Sequence, residues 1–287
     1  MAKLKEIFLT VVAPLLKGFG QIMLQDNAWT GLFFLAGIFY GSYVMGLAAI
    51  LSVCIGTYTE KLLQYDEGEI NAGIYGFSAT LVGVALTCLF EPTLIIWFAI
   101  VIGSVLATVL QHFFSVKKIP AFTFPFILVT WAFLFAFYYF HLAQAQVPIA
   151  EVALNNKLTT LSYSFGQVIF QGSNLAGVLF FIGVLINKPI AAAFGVVAAA
   201  ISGLIAYQLG QPINDIYLGL LGYNAVLCAI TFSGKKLGDY ILALLSVVLS
   251  VLIMIQMKNM GLPALTFPFV LATWLALLIK IYHNPRL

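Results

Sequence analysis

A duplicated, proline-flanked threonine is the feature of this sequence best suited to contact a solute. Ile119–Trp131 recurs as Leu262–Trp274 with nine of thirteen positions identical, and Thr123 and Thr266 each lie between two prolines. A hydroxyl can donate and accept hydrogen bonds without carrying charge. Threonine in a membrane helix most often bonds to its own backbone, and the repetition favours a role beyond that one.

The duplication extends over most of the chain. At a spacing of 146 residues Gly20-Gln21 matches Gly166-Gln167, and the same spacing relates several further glycines. At the proline segments the spacing has fallen to 143, which predicts a loss of about three residues near 231–239. We call residues related by these spacings equivalent. A duplicated membrane unit predicts a binding site or pore where the two copies meet.

Composition excludes a soluble protein. Charged residues are 8% of the chain, apolar residues 62%, and the mean hydropathy is +1.06. No soluble core buries that much apolar surface, so the sequence predicts a polytopic membrane protein with lipid around it. The net charge of +3 is small and dispersed and does not favour a nucleic-acid partner, and no cleavable signal is evident.

Each copy contains five long apolar segments, which predicts an all-α protein. The segments run near residues 28–44, 46–63, 74–90, 94–114 and 125–141, and again near 175–186, 189–209, 220–232, 240–257 and 268–282. The third of each set is short and polar at its start, and we expect a tilted or re-entrant helix. The stretches 11–27 and 158–174 are ambiguous. The predicted organisation is a first repeat at 1–142, a connecting loop at 143–160 and a second repeat at 161–287.

The charged residues bear on topology and coupling. Lys3 and Lys5 at one end and Lys280 and Arg286 at the other favour cytoplasmic termini and an even number of crossings. Ion-coupled carriers keep carboxylates or histidines at membrane depth. The acids fall mostly at apparent loops; Glu60 is counted among these, and Asp26 is expected to cap a helix or lie on the surface. This distribution of charges argues against an ion-coupled carrier.

Motifs for other functions are missing from the sequence. It contains no His-Glu-x-x-His, Gly-x-Ser-x-Gly or Gly-Lys-Ser pattern. His112 and His141 are isolated, and the three cysteines are widely spaced among apolar neighbours. We expect neither an enzyme nor a metal or cofactor site.

The duplicated motifs resemble those of the urea transporter family. The family signature is Leu-Pro-x-x-Thr-x-Pro-Phe occurring twice, and this chain has it at 262–269 and, with Ile119 in place of the leucine, at 119–126. The Gly-Gln segments at 20–24 and 166–170 and the glycine-led segments at 76–83 and 222–227 also carry the resemblance. The resemblance covers about Gly18 to Trp274. It implies ten spanning helices and two pore half-helices in inverted repeats, and a homotrimer with one channel-like pore in each protomer.

The resemblance also implies which residues line the pore. Urea is flat and neutral, with N–H groups at its edges, so a slot with aromatic faces and acceptor oxygens would fit it. Phe77 and Tyr223 would be the faces, and Leu81 and Leu227 would narrow the centre. The remaining lining residues are the filter glutamines with their neighbours and the central threonines: Gln21, Leu24, Gln167, Phe170, Thr123 and Thr266. In the Gln-x-x-Phe pattern the second copy has the aromatic residue Phe170, whereas the first copy has Leu24 at that position.

Other interpretations remain open. Each phenylalanine could face lipid or core, each glutamine could join helices, and Thr130 and Thr273 compete with the central threonines. The favoured function is passive transport of urea. A channel for ammonia, short amides or water is the first alternative, and an ion-coupled carrier the second. The short loops suggest a bacterial inner membrane.

Overall fold

The computed structural model describes residue 6 and residues 8–146 and 159–283, which divide into two compact units, Met1–Ile149 and Ala150–Leu287. Most of the predicted connecting loop, together with Lys3, Lys5 and Arg286, lies outside these described residues. Apart from one isolated bridge between Phe90 and Ala145, the regular structure of the described residues is helical.

The first unit begins with a π-helical turn, Phe8–Val12, that leads into its first α-helix. Its α-helices are α1 (Ala13–Gln21), α2 (Ala28–Gly41), α3 (Tyr43–Leu62), α4 (Glu67–Asn71), α5 (Gly76–Leu89), α6 (Leu94–Val116) and α7 (Phe124–Phe140). The second unit contains α8 (Thr159–Gln167), α9 (Asn174–Asn187), α10 (Pro189–Gln208), α11 (Ile213–Tyr217), α12 (Tyr223–Thr231), α13 (Leu237–Asn259) and α14 (Phe267–His283).

The two units have the same order of helices, and all but one pair have equal lengths. The pairs α2 and α9, α3 and α10, α6 and α13, and α7 and α14 contain 14, 20, 23 and 17 residues respectively. The exception is α5 with 14 residues against α12 with nine. The three missing residues therefore lie between Tyr223 and Leu237, an interval that overlaps the predicted position near 231–239.

Four helices, α3, α6, α10 and α13, are long and apolar enough to cross a membrane. Twenty residues of α-helix span about 30 Å, the thickness of a typical hydrocarbon core. The remaining apolar helices among the described residues have 17 residues or fewer. The chain is an integral membrane protein whose predicted apolar segments are all helical.

Helices α5 and α12 are buried on every side. In α5 every residue from Gly76 to Thr87 is buried, and in α12 the same holds from Asn224 to Ile230. A helix that is apolar all round is stable only when other elements surround it. The third apolar segment of each repeat is thus short, as predicted, and lies inside its own unit.

Glycine allows the first two helices of each unit to cross closely. A Cβ added to Gly31 would lie 1.7 Å from the carbonyl oxygen of Leu16, and one added to Gly177 would lie 1.8 Å from that of Ser162. The backbones of α1 and α2, and of α8 and α9, therefore touch at these positions. The stretches that the sequence left ambiguous are resolved as α1 and α8 with the turns that follow them.

The prediction for Asp26, a helix cap or a surface residue, is narrowed to the surface, and the prediction for Glu60 is wrong. Asn27, not Asp26, caps α2, because its side chain accepts from the Thr30 N–H at 3.1 Å. Asp26 lies on the surface, paired with Lys17 at 2.8 Å. Glu60 was placed at a loop, but it lies within α3 and is fully buried, with no hydrogen-bond partner for either carboxylate oxygen among the described residues. Its position two residues before the helix end makes it resemble a loop acid in the sequence.

Candidate functional site

A cavity of about 220 Å³ in the second unit brings together three of the predicted pore residues. We call it the Tyr223 cavity. It is lined by Gln167, Phe170, Asp215, Leu220, Leu221, Tyr223, Met254, Lys258 and Leu265. These residues come from the end of α8 and the turn after it, from α11 and the segment that joins it to α12, from the start of α12, from the last turns of α13 and from the segment before α14. The cavity thus lies where several helices of the unit begin or end.

A tight turn after α8 positions Gln167 and Phe170. The Phe170 N–H donates to the Gln167 carbonyl at 3.2 Å, and the Gln171 N–H donates to the Gly166 carbonyl at 3.0 Å. Phe170 has a φ of 57°, in the left-handed region that non-glycine residues rarely occupy. A Cβ on Gly166 would lie 2.5 Å from the Gln171 carbonyl oxygen, so the turn requires glycine there.

The turn after α1 has the same form. Leu24 has a φ of 61°, and the Gln25 N–H donates to the Gly20 carbonyl at 3.1 Å. The side chains of Gln25 and Gln171 donate to the carbonyls of Met23 and Ile169, at 2.7 and 2.9 Å. The second glutamine of each turn is therefore a structural residue, whereas Gln21 and Gln167 remain the candidates for solute contact.

Hydrogen bonds tie the start of α12 to the segment that carries Thr266. The Tyr223 hydroxyl donates to the Leu265 carbonyl at 2.5 Å, and the Asn224 amide donates to the same oxygen at 3.4 Å. The Asn224 side-chain oxygen accepts from the Phe269 N–H at 3.1 Å. Leu265 itself has a φ of 46°, and these bonds hold its strained backbone. Asn224 is not among the predicted site residues, although the polar residue Ser78 at the equivalent position is a signal in the sequence.

The remaining predicted residues of the second unit lie close to this segment in the chain or further along α12. Thr266 is buried next to Leu265, directly before α14, and Leu227 is fully buried one turn after Tyr223. Neither is among the residues that line the Tyr223 cavity. Thr273 lies within α14, and its hydroxyl packs against α12 at 3.8 Å from the Cys228 sulfur.

In the first unit the predicted residues occupy equivalent places. The Gln21 amide donates to the Ala72 carbonyl at 2.9 Å, at the end of α4. Phe77 and Leu81 are buried in α5, Thr123 is buried directly before α7, and Leu24 is 37% exposed. Their part in a pore stays a prediction.

A polar cluster beside α4 was not anticipated from the sequence. The Glu69 carboxylate accepts hydrogen bonds from Tyr75 and Ser115, and the Tyr75 hydroxyl also lies 3.0 Å from His112 Nδ1. Tyr65 stacks on the His112 ring with 3.5 Å between centroids. Burial raises the pKa of the Tyr65 hydroxyl further above physiological pH, at which a tyrosine is already neutral. The sequence suggested that His112 is isolated, but in the structure it contacts Tyr65 and Tyr75.

The second unit has an ion pair at the positions equivalent to Glu69 and Ser115. Lys258, in the last turn of α13, contacts the Asp215 carboxylate, and both side chains line the Tyr223 cavity. The two residues are 43 positions apart in the chain, and only the fold brings them together. The prediction that Asp215 lies at a loop is wrong, since it belongs to the short helix α11, and Lys258 is not among the predicted site residues.

Taken together, long apolar helices, two short buried helices and a small cavity lined by an amide and aromatic rings are typical of polytopic membrane transport proteins. Among the described residues no group of three or more histidine, cysteine or acidic side chains is arranged to hold a metal ion. In the Tyr223 cavity the Gln167 amide can form hydrogen bonds with a bound molecule, and the rings of Phe170 and Tyr223 provide flat apolar surfaces.

Comparison with known proteins specifies the family. The family model for the urea transporter matches residues 12–281. Urea transporter 1 of Rattus norvegicus is 26% identical, over 99% of this chain and 80% of its own length. Urea transporter 1 of Ovis aries is 25% identical, over 95% of this chain and 77% of its own length. The chain belongs to the urea transporter family, which confirms the resemblance and the prediction that it is a transport protein and not an enzyme.

Proposed function

We propose that the chain conducts urea passively through a narrow, channel-like slot. The observation that carries the proposal is the Tyr223 cavity, in which Gln167, Phe170 and Tyr223 line one small space. Its volume of about 220 Å³ lies below the roughly 300–1,000 Å³ of pockets for drug-sized ligands. A space of this size suits a solute of a few atoms. Membership of the urea transporter family supports urea as that solute.

The chemistry of the lining supports a flat, neutral solute. The Gln167 side-chain oxygen can accept an N–H of urea, while the rings of Phe170 and Tyr223 provide apolar faces. A hydrated ion would have to give up water against these rings, which is costly. Each contact is weak, so a solute that enters can also leave.

The pore itself is proposed to form from both repeats, arranged as inverted copies. In this proposal Phe77 and Tyr223 are the faces, Gln21 and Gln167 the filters, and Leu81 and Leu227 the narrowest points. Thr123 and Thr266 would place hydroxyls at the centre of the slot. Their burial and their equivalent positions directly before α7 and α14 support this role. Leu24 would leave one mouth less aromatic than the mouth with Phe170.

The proposed assembly is a homotrimer in a bacterial inner membrane, with both termini in the cytoplasm and one pore in each protomer. The trimer is an expectation from the family resemblance, and the orientation is an expectation from the terminal cations. Cross-linking of the purified protein in lipid, followed by mass measurement, would detect a trimer directly.

Urea flux in proteoliposomes tests the passive mechanism. We expect light-scattering traces to show urea entry without any ion gradient, and an unchanged rate when protonophores and sodium are varied. Parallel traces with formamide, ammonia and water compare urea with the other neutral solutes. A urea rate no faster than in empty vesicles would refute the proposal.

Substitution of the threonines tests the slot. Thr123→Val and Thr266→Val keep the side-chain shape and remove a hydroxyl, whose hydrogen bond is worth roughly 0.5 to 1.5 kcal/mol. We expect each to lower urea flux by about twofold to tenfold, and the double variant to lower it further. Thr130→Val and Thr273→Val are matched controls, because both threonines are buried inside helices seven residues further along the chain. Unchanged flux in the Thr123/Thr266 double variant would contradict the assignment.

Glu60 favours a second candidate, an ion-coupled carrier. It is a fully buried carboxylate in the long apolar helix α3, and such residues in membrane helices commonly serve ion or proton movement. Its equivalent in the second unit is Ala206, so the repeat does not require an acid there. Glu60→Gln distinguishes the two functions. A passive pore keeps its urea flux in this variant, whereas a coupled carrier loses gradient-driven accumulation.

A further inference from the structure

We propose that Lys258 sets the charge selectivity of the Tyr223 cavity by neutralising Asp215, so that flat neutral solutes enter and their cationic analogues are not retained. The inference deepens the proposed function and rests on it. It assigns a specificity role to two residues that the pore prediction did not include.

The geometry places both charges at the cavity. Lys258 and Asp215 line it together with Gln167, Phe170 and Tyr223, and the Lys258 Nζ contacts the Asp215 Oδ2. Their side chains are 37% and 24% exposed, so the pair is partly in water. A partly exposed ion pair contributes little to the stability of a fold. Its larger effect is on the charge that a solute meets beside the glutamine and the rings.

The first unit contains the same contact without the lysine. Glu69 is equivalent to Asp215, and Ser115 is equivalent to Lys258. Glu69 accepts hydrogen bonds from the hydroxyls of Ser115 and Tyr75, which satisfy its oxygens but do not neutralise its charge. The fold thus tolerates either a lysine or a serine opposite the acid. Lys258→Ser therefore gives the second unit the serine of the first, although Leu221 stands at the position equivalent to Tyr75.

Guanidinium is the appropriate probe, because it is planar like urea, presents N–H groups at its edges and carries one positive charge. An uncompensated carboxylate a few ångströms from a partly solvated site raises the local occupancy of a monovalent cation by about tenfold. In the wild-type cavity the Lys258 ammonium cancels this attraction. Without it, guanidinium would occupy the place where urea must pass.

The experiment measures inhibition of urea flux by guanidinium chloride in proteoliposomes at constant ionic strength. Wild type is compared with Lys258→Ser, Asp215→Asn and the double variant. We expect Lys258→Ser to be inhibited at about tenfold lower guanidinium concentration than wild type. Asp215→Asn should be less sensitive than wild type, because it leaves the ammonium alone. The double variant, with neither charge, should return close to wild type.

Opposite shifts for the two single variants are the signature of a charge effect. A purely structural role of the pair would move both variants in the same direction, and that result would overturn the proposal. Equal guanidinium sensitivity in wild type and Lys258→Ser, with urea flux intact in both, would overturn it as well. If Lys258→Ser does not assemble, Lys258→Gln provides the same loss of charge with a longer polar side chain. Absence of urea flux in the wild type would instead overturn the proposed function and this inference together.

Discussion

Tyr223→Phe separates the contribution of the Tyr223 ring from that of its hydroxyl. The ring lines the cavity, while the hydroxyl donates to the Leu265 carbonyl at 2.5 Å. The substitution removes only the hydroxyl and gives the residue found at the equivalent position, Phe77. If the ring is a face of the slot, the variant should conduct urea at close to the wild-type rate, within about twofold.

The cost to stability follows from the partners of the lost hydroxyl. A hydrogen bond of this kind contributes about 0.5 to 1.5 kcal/mol net, and more is lost when a buried acceptor is left without any partner. In the variant the Leu265 carbonyl still accepts a hydrogen bond from the Asn224 amide at 3.4 Å, so the larger cost of a buried acceptor without a partner does not apply. We therefore expect a loss of about 1 kcal/mol, or a fall in Tm of about 2 to 4 °C.

Two measurements check this reasoning. Thermal unfolding in detergent gives the shift in Tm, and proteoliposome traces give urea flux. Tyr207→Phe is the matched control, because Tyr207 lies exposed in α10 of the same unit and is not part of the Tyr223 cavity. Tyr223→Leu removes the ring and should lower flux by about threefold to tenfold. If Tyr223→Phe folds but conducts no urea, the claim that the ring and not the hydroxyl supports urea flux is wrong. Wild-type flux in Tyr223→Leu would contradict the same claim independently.

Three further predictions concern stability, each measured by thermal unfolding and by size-exclusion profile. Gly177→Ala should destabilise by about 3 kcal/mol or more, because its Cβ would lie 1.8 Å from the Ser162 carbonyl oxygen; Gly203→Ala, with 3.7 Å of clearance, should be neutral or slightly stabilising. Glu60→Leu should stabilise by about 1 kcal/mol or more, since a buried carboxylate without a partner is costly, and a lower Tm would show that Glu60 has a partner in the membrane. Asn27→Ala should cost about 1 kcal/mol, and Asn27→Asp, which can still cap α2, should cost less.

The sequence located the long helices well, because their apolar runs are bounded by residues that interrupt helices. Helix α10 begins at Pro189 and α6 at Leu94, both as predicted. The short helices α4 and α11 were missed. They contain five residues each, too few for periodicity to be visible, and charged residues or proline precede or begin them.

Burial and distant contacts could not be obtained from one sequence. Glu60 is followed by Lys61 and lies near a helix end, so its pattern is that of a surface acid, and only packing shows that it is enclosed. The Asp215–Lys258 pair joins two positions 43 residues apart. The duplicated Gly-Gln segments were visible in the sequence, but the turns that follow them were not predicted, because the left-handed residue of each turn, Leu24 or Phe170, appears only in the backbone.

Equivalent contacts with different chemistry give the two units unequal surroundings for a solute. Asp215 meets a lysine where Glu69 meets two hydroxyls, and Phe170 stands where the first unit has Leu24. In a passive pore such inequality can change the half-saturating urea concentration measured from each side, because each mouth binds the solute differently. It cannot drive net flux between equal concentrations, since binding differences alone supply no free energy. Sustained urea accumulation against a gradient would therefore require a coupled ion, and Glu60 is the buried acid of the described helices at which we would first look for it.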